Sequence, residues 1–326
     1  MNITKDLSII IVNWNVSDLL KNCIKSIYQT IKNHSFEIII IDNNSSDDSV
    51  QMIQSNFHDV ILIKNKTNVG FAIANNQGIK VSKYKYILFL NPDTIVCENA
   101  IDNMIEVLEQ KKDVGVVGPK TLNEDDTIQI DCNRNFPNLI DALRKLFLNE
   151  NINNLISYNF LNKSNYYKSG YIKNIQGACM LFRREVIDTI GMFDEQYPLY
   201  LDDMDFCYRT HKAGFKIYYL STSVIYHFKR QSSKQLKDYK KKEIMIHIAT
   251  NIFFRKQYGY LYSLLHKILL CIGSIYRISL LNALILILLP IKKEQSKFLV
   301  DILKKYLLFL AIQIYIILSP RHLPLL

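Results

Sequence analysis

Residues 7–14, LSIIIVNW, and 36–41, FEIIII, decide the fold, because each is a short apolar run that stops abruptly at polar residues. A strand covered on both faces has no reason to alternate, so such runs read as strands of a buried parallel sheet. Working outward, Ser17 and Asp18 can cap a helix reaching about Ile31, and the polar cluster from Asp42 to Asp48 opens a second helix reaching about Asn56. Val60–Lys64 and Tyr86–Leu90 (YILFL) are further strands, with a helix over Phe71–Val81 between them. A helix over Glu98–Gln110 and a strand from Val114 continue the alternation. Strands and helices alternating at these lengths predict an α/β fold, a mostly parallel Rossmann-like sheet flanked by helices. The stretch Asn123–Tyr171 is rich in Asn and Tyr, shows no such period and reads as a long excursion over the binding site, a lid or an acceptor-binding loop. Order returns at Ile175–Arg183, with a helix from Arg184, a helix over Leu201–Ala213 and a strand over Lys216–Leu220.

Composition narrows the class. The chain has 326 residues, 49% of them hydrophobic, which provides a substantial core and excludes wholesale disorder. The net charge of +10 is unevenly placed: from Lys229 onward there are 17 Lys/Arg against 4 Asp/Glu, whereas residues 1–228 carry 23 against 26. The basic third is also the most apolar, a combination that suits an anionic membrane surface better than nucleic acid. Cys23, Cys97, Cys132, Cys179, Cys207 and Cys271 show no ligand-like spacing, so they read as reduced thiols used as small hydrophobes. No charged start followed by an apolar run marks a signal peptide, and the first domain is expected in the cytosol.

Three polar clusters fall at strand ends: Asn13-Trp14-Asn15, Asp42 to Asp48, and Asn91-Pro92-Asp93. Ligands of such sheets bind beyond those ends. Asp93 can hold a hard divalent cation shared with phosphate oxygens, although the same tripeptide alone would be an ordinary turn. Asp42 can accept hydrogen bonds from a nucleobase or ribose, while Ser46 and Asp47 suit helix capping. Asp202, Asp203 and Asp205 crowd three carboxylates into four residues. A helix start accounts for one or two acids; a general base that takes a proton from an acceptor hydroxyl accounts for the cluster. Arg209 stands four residues after Asp205, the spacing of a supporting ion pair. His227 closes the run VIYH; alone it is a structural histidine, and on the strand after the Asp203 helix it is a candidate second metal ligand. Neither G-x-G-x-x-G after the first strand nor G-x-x-x-x-G-K-[ST] occurs, which argues against a dinucleotide dehydrogenase and a P-loop ATPase. Asn13-Trp14-Asn15 stands where a nucleotidyltransferase would carry a glycine-rich loop.

Taken in order, IIVNWN (10–15), IDNNSSD (41–47), NVGF (68–71), NNQG (75–78), LNPD (90–93), GACML (177–181), GMFD (191–194) and DDMDFCYR (202–209) resemble family 2 glycosyltransferases. The set covers roughly residues 7–230 and is most similar to the rhamnosyltransferase-type branch. The resemblance implies a GT-A fold, a nucleotide-sugar donor, Mg²⁺ or Mn²⁺, and inversion at the anomeric carbon. By that carry-over Asn13, Asp42, Asn44, Asn68, Asn76 and Asn91 bind the donor, with Asp42 on the nucleobase. Asp93 and His227 hold the metal, and Asp203 is the base with Asp202 beside it. The sequence departs from the pattern in three places: Asn91 opens the metal motif, Asp202 replaces the usual Glu, and FKRQS (228–232) replaces a glycine-rich stretch.

The implied activity is a hexosyl or rhamnosyl transfer to a glycan or lipid-linked glycan acceptor in cell-surface polysaccharide synthesis. The competing reading is a catalytically silent membrane-bound scaffold of the same fold. Residues 1–228 form the expected transferase domain and 229–326 a basic, apolar helical region. There Ile268–Pro290 is apolar but interrupted by Arg277 and Asn282, and Tyr306–Leu318 is too short to span a bilayer. Two helices lying in, or dipping into, the cytoplasmic leaflet, with lysines at headgroup level, are expected, which places the chain peripherally or monotopically on the cytoplasmic face of the cell membrane; a membrane-inserted hairpin and a helical dimer interface are the alternatives. No nucleic-acid partner is expected.

Overall fold

The computed structural model describes residues 6–129, 136–140, 166–198, 200–228, 239–288 and 293–318. Two compact units emerge: residues up to 136 with 166–239, and residues from 240 onward with the described 137–140. The sequence-based boundary at 228 is followed by residues 229–238, which lie outside the described residues, and the long helix of the second unit begins at Tyr239.

The first unit is built on a nine-stranded sheet. Its strands are β1 (Leu7–Asn13), β2 (Phe36–Asp42), β3 (Ile61–Lys64), β4 (Tyr86–Leu90), β5 (Thr94–Val96), β6 (Val114–Leu122), β7 (Gly170–Ile172), β8 (Cys179–Arg183) and β9 (Lys216–His227). They run in the order β3-β2-β1-β4-β8-β6-β9-β5, with β7 also on β9. The first four are mutually parallel, as their unbroken apolar runs predict, and β8 is antiparallel to both β4 and β6. The sheet is therefore mostly parallel but mixed. β9 is longer than expected: 12 residues, with a register shift against β6 at Pro119/Lys120, where proline cannot donate to the ladder.

Alternate residues of β1 feed two cores. Leu7, Ile9 and Ile11 pack under helix α1 (Ser17–Thr30) and α4 (Ala100–Gln110). Ile10, with Ile39 and Ile41 of β2, packs under α3 (Phe71–Val81), α5 (Arg184–Ile190) and α6 (Asp202–Lys212). Helix α2 (Ser49–Asn56) adds Ile53 to the first core. Gly78 lets α3 settle directly on the sheet: a Cβ there would stand 2.5 Å from Ile10 Cγ2. Cys23, Cys179 and Cys207 are buried free thiols, as expected of small hydrophobes, and Cys132 lies outside the described residues.

The second unit contains α7 (Tyr239–Tyr258), α8 (Tyr260–Leu288) and α9 (Lys293–Leu318). Ser263 Oγ donates to Asn251 Oδ1, joining α7 to α8, and Arg277 Nη1 donates to Tyr306 Oη at 2.7 Å, joining α8 to α9. Helix α9 is 26 residues long rather than the 13 expected. Its first half, KEQSKFLVDILKK, is an amphipathic helix whose charges hide the period in a search for apolar runs.

Candidate active site

The central strands deliver Asn13 and Asp42 side by side at their carboxyl ends, paired in register. Asn13 Nδ2 donates to Asp42 Oδ1 at 2.9 Å, and Asp42 also accepts from the backbone N–H and hydroxyl of Ser45 at 3.0 and 2.6 Å. Asn15, in the left-handed region at φ 54°, accepts from Ser46 N and turns the chain back over this edge. Asn44, also left-handed, is exposed beside it.

One strand further, Asp93 follows β4. Its Oδ1 lies 3.3 Å from His227 Nε2, and Asn91 Nδ2 lies 3.3 Å from the same nitrogen. Pairing of β5 with the end of β9 brings them together, since Thr94 is opposite His227. Both Asp93 and His227 are buried. The described residues hold no group of three or more His, Cys, Asp or Glu fit for a metal. A carboxylate beside an imidazole, as Asp93 and His227 provide, would supply two ligands to a divalent cation that takes the rest from phosphate oxygens and water.

The second acidic cluster opens α6. Tyr200 and Leu201, both left-handed at φ 62° and 61°, precede it in a strained turn. Asp203 Oδ1 accepts Met204 N at 2.8 Å, and Oδ2 accepts Gly177 N at 2.8 Å. Asp202 accepts Asp203 N, and burial with the neighbouring Asp203 charge pushes its carboxyl up to about 7. Asp205 is tied to Arg209 at 2.7 Å and to Tyr197 Oη at 3.1 Å, the supporting role its spacing predicts.

A single dipeptide links the clusters. Gly177 N–H binds Asp203, and the carbonyl of Ala178 accepts Asn91 N at 2.9 Å. Asn13, Asp42, Asn91, Asp93, His227, Asp202 and Asp203 thus line one edge of the sheet. Two expected donor ligands do not join them. Asn76 spends its amide inside the protein, on Phe193 O, Phe193 N and Glu195, and is only 2% exposed. Asn68 closes a turn onto Gly70 N ahead of α3. Sequence reasoning missed Gln129, which is buried against His227 through both amide atoms. It sits in the aperiodic stretch after β6, where no pattern marks it.

With this geometry in place, likeness to known proteins can be weighed. The glycosyl transferase family 2 model matches residues 8–191, more than half of the chain. The chain belongs to that family. It is 24% identical over 217 residues to a poly-beta-1,6-N-acetyl-D-glucosamine synthase of Staphylococcus aureus (strain MSSA476), covering 65% of this chain and 47% of that protein. A low-salt glycan biosynthesis hexosyltransferase, Agl10 of Haloferax volcanii, is 26% identical over 216 residues, 65% of this chain and 64% of its own. The chain therefore spans about half the length of the first curated relatives it matches. Among solved structures, the Pyrobaculum calidifontis mannosyltransferase PcManGT with GDP-Man and Mn²⁺ is similar at TM-score 0.54 and 15% identity, over 97% of this chain and 88% of that one. S. aureus TarS 1–349 with UDP-GlcNAc is similar at TM-score 0.53 and 14% identity, over 77% and 66%. At those identities the likeness shows the fold, and the fold of this family 2 chain is the expected GT-A type.

Proposed function

We propose that this chain transfers a hexosyl group, with rhamnose as first candidate, from a nucleotide-sugar donor to a glycan or lipid-linked glycan acceptor in cell-surface polysaccharide synthesis. The observation that carries the reading is the Gly177-Ala178 dipeptide: its Gly177 N–H holds the Asp203 carboxylate, and its Ala178 carbonyl holds the backbone N–H of Asn91, two residues before Asp93. Asn13 and Asp42 receive the nucleoside end of the donor. Asp93 and His227 hold a divalent cation, Mg²⁺ or Mn²⁺, which when bound neutralises charge on the leaving diphosphate. Asp203 takes the proton of the acceptor hydroxyl as its oxygen bonds to the anomeric carbon and the carbon–diphosphate oxygen bond breaks, giving inversion. Asp202, raised to about 7 by burial and by the Asp203 charge, is partly protonated at neutral pH.

A thermal-shift series over nucleotide sugars with Mn²⁺ tests the donor assignment. A dTDP-rhamnose shift exceeding those from UDP-GlcNAc and GDP-mannose is expected; a larger shift from either of the others would replace rhamnose.

The second unit supports attachment at the cytoplasmic membrane face. Among the described residues, α8 is the one helix long and apolar enough to cross a bilayer. Its 29 residues extend about 43 Å, against roughly 30 Å of hydrocarbon. Leu261, Leu265, Ile268, Ile272 and Ile275 form an exposed stripe at helical spacing, while Ser263, His266, Lys267 and Ser274 turn inward. That inversion of the usual pattern favours insertion over surface contact. Resistance to carbonate extraction is the expected result, and release at high pH would return the helices to the surface.

A further inference from the structure

The geometry points to Gln129 as a positioning residue that selects the tautomer of His227 and thereby makes Asp93 and His227 a cation seat. The inference rests on the cation reading above. Gln129 is 1% exposed and anchored by its own backbone, N to Thr121 O at 2.8 Å. Its side chain clamps one residue twice. Nε2 donates to the backbone carbonyl of His227 at 2.7 Å, and Oε1 lies 3.1 Å from His227 Nδ1.

The orientation of this amide follows from chemistry. A carbonyl oxygen only accepts, so the nitrogen of Gln129 must face His227 O, which leaves Oε1 toward the ring. Oε1 in turn only accepts, so Nδ1 must carry hydrogen. In the neutral ring Nε2 then presents its lone pair, and it does so 3.3 Å from Asp93 Oδ1. Two acceptors facing each other at that distance repel unless positive charge lies between them. Asn91 Nδ2, 3.3 Å from Nε2, donates into the same lone pair. The arrangement has the logic of a metal-ligating histidine whose other ring nitrogen is held by an acceptor, here a glutamine amide on the segment following β6.

The opposite tautomer would place Nε2–H against Asp93. That gives an ordinary histidine–carboxylate hydrogen bond with no lone pair for a cation. Gln129 decides between the two states without touching donor or acceptor.

The test uses the full chain with ¹⁵N-labelled histidine, only seven of which occur. Ring ¹⁵N shifts without metal are expected to show the Nδ1–H form at His227 in the native protein. In Gln129→Leu, Nε2–H should become the major form and Mn²⁺ affinity, read by electron paramagnetic resonance, should fall about 10–100-fold. Gln129→Glu, which keeps an acceptor on Nδ1 but leaves the His227 carbonyl without its donor, should retain the Nδ1–H ring and bind Mn²⁺ more tightly than Gln129→Leu. In a His227→Ala background, Gln129→Leu should weaken Mn²⁺ no further. An Nε2–H ring in the native chain, or in Gln129→Glu should the leucine variant not fold, overturns the proposal. So does an additive loss in the double variant. Failure of the native chain to bind Mn²⁺ with nucleoside diphosphate would instead overturn the cation reading on which this one stands.

Discussion

Gly177 holds the Asp203 carboxylate, and Ala178 holds the backbone of Asn91, two residues before Asp93, yet the surroundings of the two carboxylates differ. Asp93 lies between two strands, buried, with a ring nitrogen at 3.3 Å. Asp203 lies at a helix start, partly exposed, with both oxygens on backbone N–H groups and a second carboxyl beside it. A fixed carboxylate facing a nitrogen ligand suits a cation. A partly exposed carboxylate oriented by two backbone N–H groups suits a base. The contrast shows how one residue type is assigned two jobs by burial and partners alone.

The largest break in this contrast is expected from Asp203→Asn. Turnover should fall about 10²–10⁴-fold while donor binding, followed by thermal shift, stays native; near-full turnover would remove Asp203 from the base role. Asp93→Ala should show the reverse signature. Donor affinity in Mn²⁺ should drop about 10–100-fold, with little change when metal is chelated. Gly177→Ala sharpens the link between the two sites, since the added Cβ would stand 3.2 Å from Asp203 Cβ and 3.5 Å from its Oδ2. Turnover about tenfold lower, with a melting temperature near native, is expected.

Asp202→Asn should have the smallest effect on catalysis and a distinct one on stability. The native carboxyl is raised to about 7, so the folded state holds its proton more tightly than the unfolded chain. Stability therefore declines as pH rises from about 4 to about 7 and levels off above. The variant removes that cost, and its gain in melting temperature should be larger at pH 8.5 than at pH 5. Equal gains at both would mean that Asp202 is not raised.

How much of this was legible in the sequence depended on burial. β1, β2 and β4 are covered on both faces, so LSIIIVN, FEIIIID and YILFL announce themselves. β9 does not. Its middle, Ser221-Thr222-Ser223, breaks the apolar run just where the ladder to β6 shifts register. The run VIYH therefore read as a separate piece, although it is the end of the same strand. The acids were visible because three carboxylates in four residues need an explanation. Gln129 was invisible because its role arises from pairing between distant strands, and a single glutamine has no periodicity. Asn68 and Asn76 show the opposite case: both stand in matched motifs, and a motif match does not say which way an amide points.

Asn76 and Gly78 carry a consequence of their own. Both belong to the NNQG stretch by which the family resemblance is traced, yet one ties α3 to the loop at Phe193 and the other lets α3 lie on Ile10. A descendant that lost transfer but kept its shape would be free to change Asp93 and Asp203 while remaining bound to Asn76 and Gly78. Membership in the family and possession of the activity are thus recorded in different letters of the same signature.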